Sequence, residues 1–166
     1  MRVNYAYIHL LQAMKLNTSN VEHHTQCNCL ALRQAARRVT QFYDHCLMAS
    51  GLRATQFSIL ANLKRFGPMT INALAGELVM DRTTLGRTML PLARDGLIAV
   101  KDCSSDRRSK KLHLTAAGSD RLASGRKLWT NAQKRMDEAF GGARASKLRS
   151  ELFAISELGL AVEPKR

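Results

Sequence analysis

Several features that mark other classes of protein are missing from this sequence of 166 residues. No uninterrupted apolar run approaches the roughly 20 residues that a membrane-spanning helix needs. The short apolar stretch YAYIHLLQAM near the start is not followed by a small-residue cleavage site. No nucleophile elbow, glycine-rich phosphate loop or HExxH pattern is present. The sequence therefore predicts a cytosolic protein that is not an enzyme and that uses no cofactor.

Acidic side chains are also scarce. The chain has 13 Asp and Glu against 26 Lys and Arg, which gives a formal net charge of +13 at pH 7. Because Lys and Arg that neutralise phosphates release condensed counterions, this excess favours a polyanionic partner, and nucleic acid is the first candidate. An anionic membrane surface is the competing partner, but without an apolar spanning segment we expect no membrane partner.

The segment from Asp81 to Arg94 has the pattern of an amphipathic helix. Asp81 is a favourable N-cap. Leu85, Met89 and Leu92 recur at i, i+4 and i+7, so one stripe can be buried. Hydroxyl and guanidinium groups that suit a DNA groove lie away from this stripe. They belong to Thr83, Thr84, Arg87 and Arg94, with Arg82 and Thr88 at the margins.

Two residues of this helix break local rules. Pro91 cannot donate a hydrogen bond to the carbonyl of Arg87, so the helix either bends there or ends at Leu90. The apolar register of Leu92 favours a bend. Gly86 costs about 1 kcal/mol relative to alanine in a helix interior. Close approach of the neighbouring helix or of the DNA backbone would explain it.

A β-hairpin is predicted after Gly96, which ends the helix. LIAV is rich in β-formers, CSSDRRS is a basic polar turn, and KKLHLT alternates apolar and polar residues. Upstream, Thr70 caps a further short apolar-periodic segment, INALAGELV. A helix, a turn, a second helix and a two-stranded wing in this order predict a winged helix-turn-helix, with the recognition helix at 82–94 and the wing at 97–114.

These segments resemble the DNA-binding core of the MarR family of bacterial transcriptional regulators, and the likeness covers roughly residues 27 to 160. The wing and its exit carry the resemblance through Asp106, Arg107, Arg108, Leu112, Leu114, Thr115 and Gly118. The resemblance implies a mainly α fold with a small β-wing, in a single domain over residues 26–166. Dimerisation helices at 26–50 and 115–160 would enclose a winged core at 53–114. Residues 1–25 are predicted to be an extension that is either a short helix or disordered.

The recognition helix supplies the predicted base contacts. Arg82 and Arg87 can each donate two hydrogen bonds to guanine O6 and N7, unless one of them pairs with Asp81 or Asp95 instead. The hydroxyl-bearing residues of the helix are expected to contact phosphate or a thymine methyl group; they are Thr83, Thr84 and Thr88. At the start of the preceding helix, Thr70 and Asn72 could present backbone N–H groups to a phosphate.

The resemblance also gives roles to the wing tip. It implies that Asp106 holds Arg108, while Arg107 or Arg108 reaches the minor groove or its phosphates. Ser104 and Ser105 are placed at the same tip. The alternative is a solvated hairpin tip without DNA contacts.

The sequence leaves three ways open in which DNA binding could be regulated: thiol oxidation, a small-molecule ligand and a bound metal. The segment Cys29–Asp44 partly resembles the first helix of the organic-hydroperoxide-sensing branch of the family. Cys29 stands at its peroxidatic position and Tyr43 at a hydrogen-bonding tyrosine, although a second tyrosine is replaced by Arg33. The alternative is an idle or buried thiol, since reduced cysteines are expected in the cytosol.

A ligand pocket and a metal site are the other two possible means of regulation. Tyr43, His45 and Arg53 lie near where the family holds a small aromatic or phenolic anion. His23, His24, Cys27 and Cys29 offer soft ligands, but HHxxCxC is not a recurrent zinc spacing, so no metal site is predicted.

The sequence thus predicts a homodimeric repressor that binds double-stranded DNA at a pseudo-palindromic operator, located in the bacterial cytoplasm. A small aromatic or phenolic ligand would release it. The first alternative is a thiol-based redox repressor that uses Cys29. The second is a basic architectural protein that binds nucleic acid without sequence specificity.

Overall fold

The structure is a computed structural model that describes residues 27–103 and 106–158, except for the side chains of 103–109. The chain divides into two units between Gln41 and Phe42. The described part of the first unit is one stretch of helix α1, whose full range is Asn28–Leu47. Leu32 and Val39 of this stretch are exposed.

The second unit contains the rest of the elements. A 3₁₀ turn at Met48–Ser50 follows α1 and ends at Gly51, whose φ of 70° is left-handed. The further helices are α2 (Ala54–Phe66), α3 (Ile71–Glu77), α4 (Arg82–Arg94), α5 (Ala116–Phe140) and α6 (Gly142–Glu157). The strands are β1 (Met69–Thr70), β2 (Ile98–Cys103) and β3 (Asp106–Leu114). The expectation of a mainly α chain with a winged helix-turn-helix core and a small β-wing is confirmed.

One apolar core joins the helices to the base of the wing. Leu60 of α2, Leu74 of α3 and Leu85 of α4 are completely buried. Leu112 of β3 and Leu122 of α5 belong to the same cluster. Each of these helices therefore has one face fixed against the core, and the direction of its polar face is set by that packing.

The wing is part of a three-stranded antiparallel sheet in the order β1-β3-β2. The two-residue strand β1 was not predicted from the sequence. In it Met69 pairs with Leu112 and Thr70 with Lys111, so the entry to α3 is hydrogen-bonded to the wing. Two residues are too few to show the alternation that identifies a strand.

Helix α4 covers the range that the sequence assigned to the recognition helix. It continues through Pro91 to Arg94, so the alternative in which it ends at Leu90 is wrong. A Cβ atom built on Gly86 would meet no atom of the described chain within 4 Å. The explanation of Gly86 by a closely packed neighbouring helix is therefore wrong as well.

Thr115 and Gly118 join the wing to α5. The Thr115 side chain accepts a hydrogen bond from the Gly118 amide at 3.0 Å and caps the helix. Its hydroxyl lies 2.7 Å from the carbonyl oxygen of Gly96 and 3.1 Å from that of Leu97. The backbone of α5 thus starts directly against the end of the loop that precedes the wing.

Candidate nucleic-acid interface

Asp81 fixes the start of α4, the predicted recognition helix. Its Oδ1 accepts a hydrogen bond from the Thr84 amide at 2.8 Å. Hydrogen bonds from the side chain and the backbone of Thr84 hold the pKa of this carboxyl below its usual value. Because Leu85, Met89 and Leu92 are buried, the cap and the core together orient the opposite face of α4 outward.

The arginines of α4 differ in whether they already form an ion pair with an acidic residue of the protein. Arg94 Nε lies 3.0 Å from Asp95 Oδ1 in an ion pair on the surface. Arg82 and Arg87 are exposed, and neither makes an ion pair with any residue that the structure describes. The alternative in which one of these two pairs with Asp81 or Asp95 is not realised.

The three threonines of α4 also differ in the hydrogen bonds that they make within the helix. The Thr88 hydroxyl donates to the carbonyl oxygen of Thr84 at 2.9 Å. The Thr84 amide donates to Asp81 Oδ1. Thr83 is exposed and its hydroxyl bonds to no described residue. The Thr88 hydroxyl is therefore used within the helix, whereas the Thr83 hydroxyl is not.

A groove of about 580 Å³ separates α4 from the wing. It is lined by Thr70, Ile71, Asn72, Arg82, Met89, Val100, Lys110 and Leu112. Thr70 itself caps α3, since its Oγ1 accepts from the Ala73 amide at 3.2 Å. The fold thus brings three predicted contact residues, Thr70, Asn72 and Arg82, to one groove.

Lys110 was not selected from the sequence. It is exposed and shares the groove with Arg82 and Asn72. The alternation in KKLHLT places Lys110 on the same face of β3 as Leu112, which is buried beside it. That alternation could have identified Lys110 as a residue of the recognition-helix side of the wing.

The wing tip lies largely outside the described residues. Ser104 and Ser105 are not described, and only the backbone of Asp106, Arg107 and Arg108 is, as part of β3. The predicted contact between Asp106 and Arg108 and the reach of either arginine to the minor groove therefore stay predictions.

The predicted ligand pocket is brought together only in part. His45 and Arg53 line a cavity of about 460 Å³ together with Asp44, Met48, Gly51 and Leu52. Tyr43 is not one of its lining residues. The Tyr43 hydroxyl instead donates to Gln133 Oε1 at 2.7 Å, and burial, followed by the charge of Asp137, raises its pKa.

The cysteines show no site in the described residues. Cys29 is exposed on α1, and Cys27 precedes the helix, with its sulfur 3.4 Å from the Leu30 amide. Cys29 and Tyr43 belong to separate units, so the predicted redox pair stays a prediction. Cys46 accepts a hydrogen bond from Arg135 Nη1 at 3.3 Å.

Neither a metal site nor a membrane span is found in the same residues. No three His, Cys, Asp or Glu side chains group there as a metal site would require, and His23 and His24 lie outside the described range. None of the described helices combines the length and apolar character needed to cross a membrane.

A helix-turn-helix whose second helix exposes free arginines beside a two-stranded wing defines a winged helix-turn-helix domain, the class that places a helix in a DNA groove. Comparison with known proteins agrees. The MarR family model matches residues 52–110. The M. tuberculosis transcriptional regulator MosR, solved in complex with DNA, is 34% identical with a TM-score of 0.70, and the match covers 82% of this chain and 100% of that chain. The protein belongs to the MarR family.

Two structures of another relative extend the comparison. The transcriptional repressor CouR bound to a 23-mer DNA duplex is 30% identical with a TM-score of 0.73, over 80% of this chain and 94% of that chain. CouR bound to p-coumaroyl-CoA is 26% identical with a TM-score of 0.72, over 81% of this chain and 94% of that chain.

Proposed function

We propose that this protein is a homodimeric, sequence-specific repressor that binds a pseudo-palindromic operator through α4 and the wing, and that a small aromatic or phenolic ligand releases it. An operator on a bacterial chromosome would place the protein in the cytoplasm. The family membership supports DNA binding in general. The more specific parts of the proposal rest on individual contacts and surfaces.

The single observation that carries the proposal is the state of Arg82 and Arg87. Both are exposed on α4 and make no ion pair with a described residue, whereas Arg94 on the same helix is paired with Asp95. A free guanidinium fork can make two hydrogen bonds to a guanine edge, and this is the commonest specific contact in the major groove. Arg87 lies opposite the buried stripe of α4 and is our first choice for base contact.

Phosphate contacts would come from the groove between α4 and the wing. Lys110, Arg82 and Asn72 line it, and no acidic residue is part of the lining. Positive charge and amide N–H groups beside a recognition helix position the DNA backbone without reading its sequence. We propose that Lys110 and Arg107 or Arg108 of the wing add to this backbone contact.

The proposed dimer would form through the terminal helices. Helix α6 exposes large apolar side chains, which are Leu148, Leu152, Phe153 and Ile155, with Leu158 just after its end. Phe153 alone leaves 71% of its surface exposed. Leu148, Leu152 and Ile155 are spaced i, i+4 and i+7 and so share one face of α6, and an exposed apolar face of this kind marks a protein interface. A twofold dimer would present two copies of α4 to two half-sites about one helical turn apart.

The cavity at His45 and Arg53 is our candidate effector site. Its volume of about 460 Å³ lies in the range of small-molecule pockets, and Arg53 could pair with an anionic group. The relative CouR has been solved with p-coumaroyl-CoA, a ligand with a phenolic group. Release requires that the ligand bind more tightly to the conformation that does not fit the operator.

The proposal is tested by fluorescence anisotropy with the DNA that flanks the protein's own gene and with a random duplex, at about 0.15 M salt. We expect selective binding to the flanking DNA. Arg87→Ala should lose about 5-fold to 150-fold in operator affinity, the range for one bidentate base contact. Arg126→Ala removes the same charge from an exposed position of α5 and serves as the matched control.

Equal binding to both duplexes would contradict the proposal and favour a non-specific architectural protein. Equal losses for Arg87→Ala and Arg126→Ala would show that only net charge matters. Adding an organic hydroperoxide to the wild type and to Cys29→Ser tests the redox alternative. If the hydroperoxide releases the wild type from DNA but does not release Cys29→Ser, the protein is controlled by thiol oxidation and not by a ligand.

A further inference from the structure

The hydroxyl group of Thr88 is turned toward the protein's own helix. Thr88 Oγ1 donates to the Thr84 carbonyl oxygen at 2.9 Å. A threonine hydroxyl has one proton to donate, so in this arrangement Thr88 has no donor left for a base.

What the Thr88 side chain can still offer to a base is its methyl group. Thr84 is exposed and Thr88 is half-buried at the edge of the exposed face of α4. They are four residues apart, so they lie on the same side of the helix, one turn above the other. Arg87 is next to Thr88 in sequence and three residues from Thr84, which makes it a neighbour of both.

We infer that the methyl group of Thr88 gives α4 an apolar edge that selects thymine through its 5-methyl group, beside the guanine contacted by Arg87. This inference rests on the proposed function, because it requires α4 to enter the major groove. Thymine is the base that presents a methyl group there, and apolar contact with it is a recognised form of readout.

The spacing of the residues limits where the thymine can lie. Arg87 and Thr88 are adjacent on the helix, about 1.5 Å apart along its axis and about 100° apart around it, so their Cβ atoms are about 5 Å apart. Successive bases along one strand rise by about 3.4 Å. The selected thymine is therefore expected one or two base pairs from the guanine, in each half-site.

Thr83 should behave in the opposite way. It is exposed on the same turn, and its hydroxyl bonds to no residue that the structure describes. Its hydroxyl is thus available to a phosphate or a base. Thr83 provides a matched control, since the same pair of substitutions should give reversed results at positions 83 and 88.

The experiment starts from an operator selected by the full-length protein from random duplexes. Each thymine of that operator is then replaced by uracil, which removes only the 5-methyl group. Affinities are measured at fixed salt for the wild type, Thr88→Val, Thr88→Ser, Thr83→Val and Thr83→Ser. Valine keeps the methyl group and removes the hydroxyl, whereas serine does the reverse.

For the wild type, we expect uracil at one thymine of each half-site to lower affinity about fourfold, the size expected for one buried methyl group. Thr88→Val should bind within about twofold of the wild type. Thr88→Ser should lose about fourfold and should no longer respond to uracil at that position. Thr83→Val should lose affinity, and Thr83→Ser should keep it.

The inference is overturned if no uracil substitution affects the wild type, or if Thr88→Val loses affinity while Thr88→Ser keeps it. Thermal unfolding of each variant shows whether a loss comes from the fold, and the uracil substitutions test the wild-type protein without any mutation. If the wild type selects no sequence at all, the proposed function fails together with this inference. A selected operator that does not respond to uracil overturns the inference alone.

Discussion

Adding one methyl group at Gly118 is expected to damage the junction between the wing and α5. A Cβ atom there would lie 2.0 Å from the Leu97 carbonyl oxygen and 2.8 Å from Leu114 Cδ1. The first of these is backbone and cannot rotate away. The same carbonyl oxygen accepts hydrogen bonds from the Thr115 amide at 3.2 Å and from the Thr115 hydroxyl at 3.1 Å. Relief of the clash must move α5 away from the wing and stretch both bonds.

The size of the effect follows from these contacts. Overpacking costs about 1–3 kcal/mol in general, and the upper part of that range applies because backbone is the obstacle. Each weakened hydrogen bond adds about 1 kcal/mol. The better helix propensity of alanine returns at most about 1 kcal/mol. Gly118→Ala should therefore lower the free energy of unfolding by about 3–5 kcal/mol, or the Tm by about 6–20 °C for a domain of this size.

The assay is thermal and urea unfolding at a fixed protein concentration, because a dimer's Tm depends on concentration. Gly86→Ala is the control, since a Cβ at Gly86 meets nothing within 4 Å in the described chain. Gly118→Ala with a Tm equal to or above that of the wild type would refute the steric argument. A loss of the same size in Gly86→Ala would show that glycine is needed for a reason other than space.

Three further predictions concern the helix-turn-helix. Val79 has a left-handed φ of 49°, which strains a β-branched residue, and its side chain is 80% exposed. Val79→Gly should therefore raise the free energy of unfolding by about 1 kcal/mol, and a lower Tm would contradict the inferred strain. Gly86→Ala should raise the free energy of unfolding by about 0.5–1 kcal/mol, yet it should weaken operator binding if DNA approaches α4 at this position. Gly76→Ala is the control, because Gly76 on α3 is equally unobstructed and its substitution should leave binding unchanged. The lowered pKa of Asp81 means that its ionised form stabilises the fold above its unfolded pKa, and that this contribution is lost as pH falls through the folded pKa. The Tm of wild type should therefore fall relative to Asp81→Asn only below about pH 4, and a constant difference from pH 6 to 2 would count against the cap.

The sequence was informative where one local rule decides the structure. The N-cap Asp81 and the spacing of Leu85, Met89 and Leu92 predict α4, because a helix with one apolar stripe must bury that stripe. Gly118 was marked only through the family resemblance. Its physical reason is the Leu97 carbonyl oxygen, which lies 21 positions earlier in the chain and can be identified only once the wing is folded.

Other features depend on contacts that no local pattern contains. The strand β1 exists because Met69 meets Leu112 across the sheet. Lys110 and Asn72 share a groove only after α3 and β3 have packed together. The hydroxyl direction of Thr88 is a choice among side-chain rotamers, and in a helix threonine can adopt more than one of them. The sequence could therefore predict a DNA-facing helix but not which group of each threonine it presents.

The arginines show most clearly which contacts the sequence alone could not predict. Net charge counts them all alike, yet the fold already uses several of them. Arg121 Nη1 donates to the Ser50 carbonyl oxygen at 3.1 Å, and the Arg135 guanidinium lies 5.1 Å from the centre of the Phe42 ring. Arg87 has no such partner among the described residues. Substitution of Arg121 should therefore lower stability first and DNA affinity only in consequence, whereas Arg87 can be removed at little cost to the fold. A basic composition thus indicates a polyanionic partner, but the residues that we expect to read it are those that the described part of the folded chain leaves unpaired.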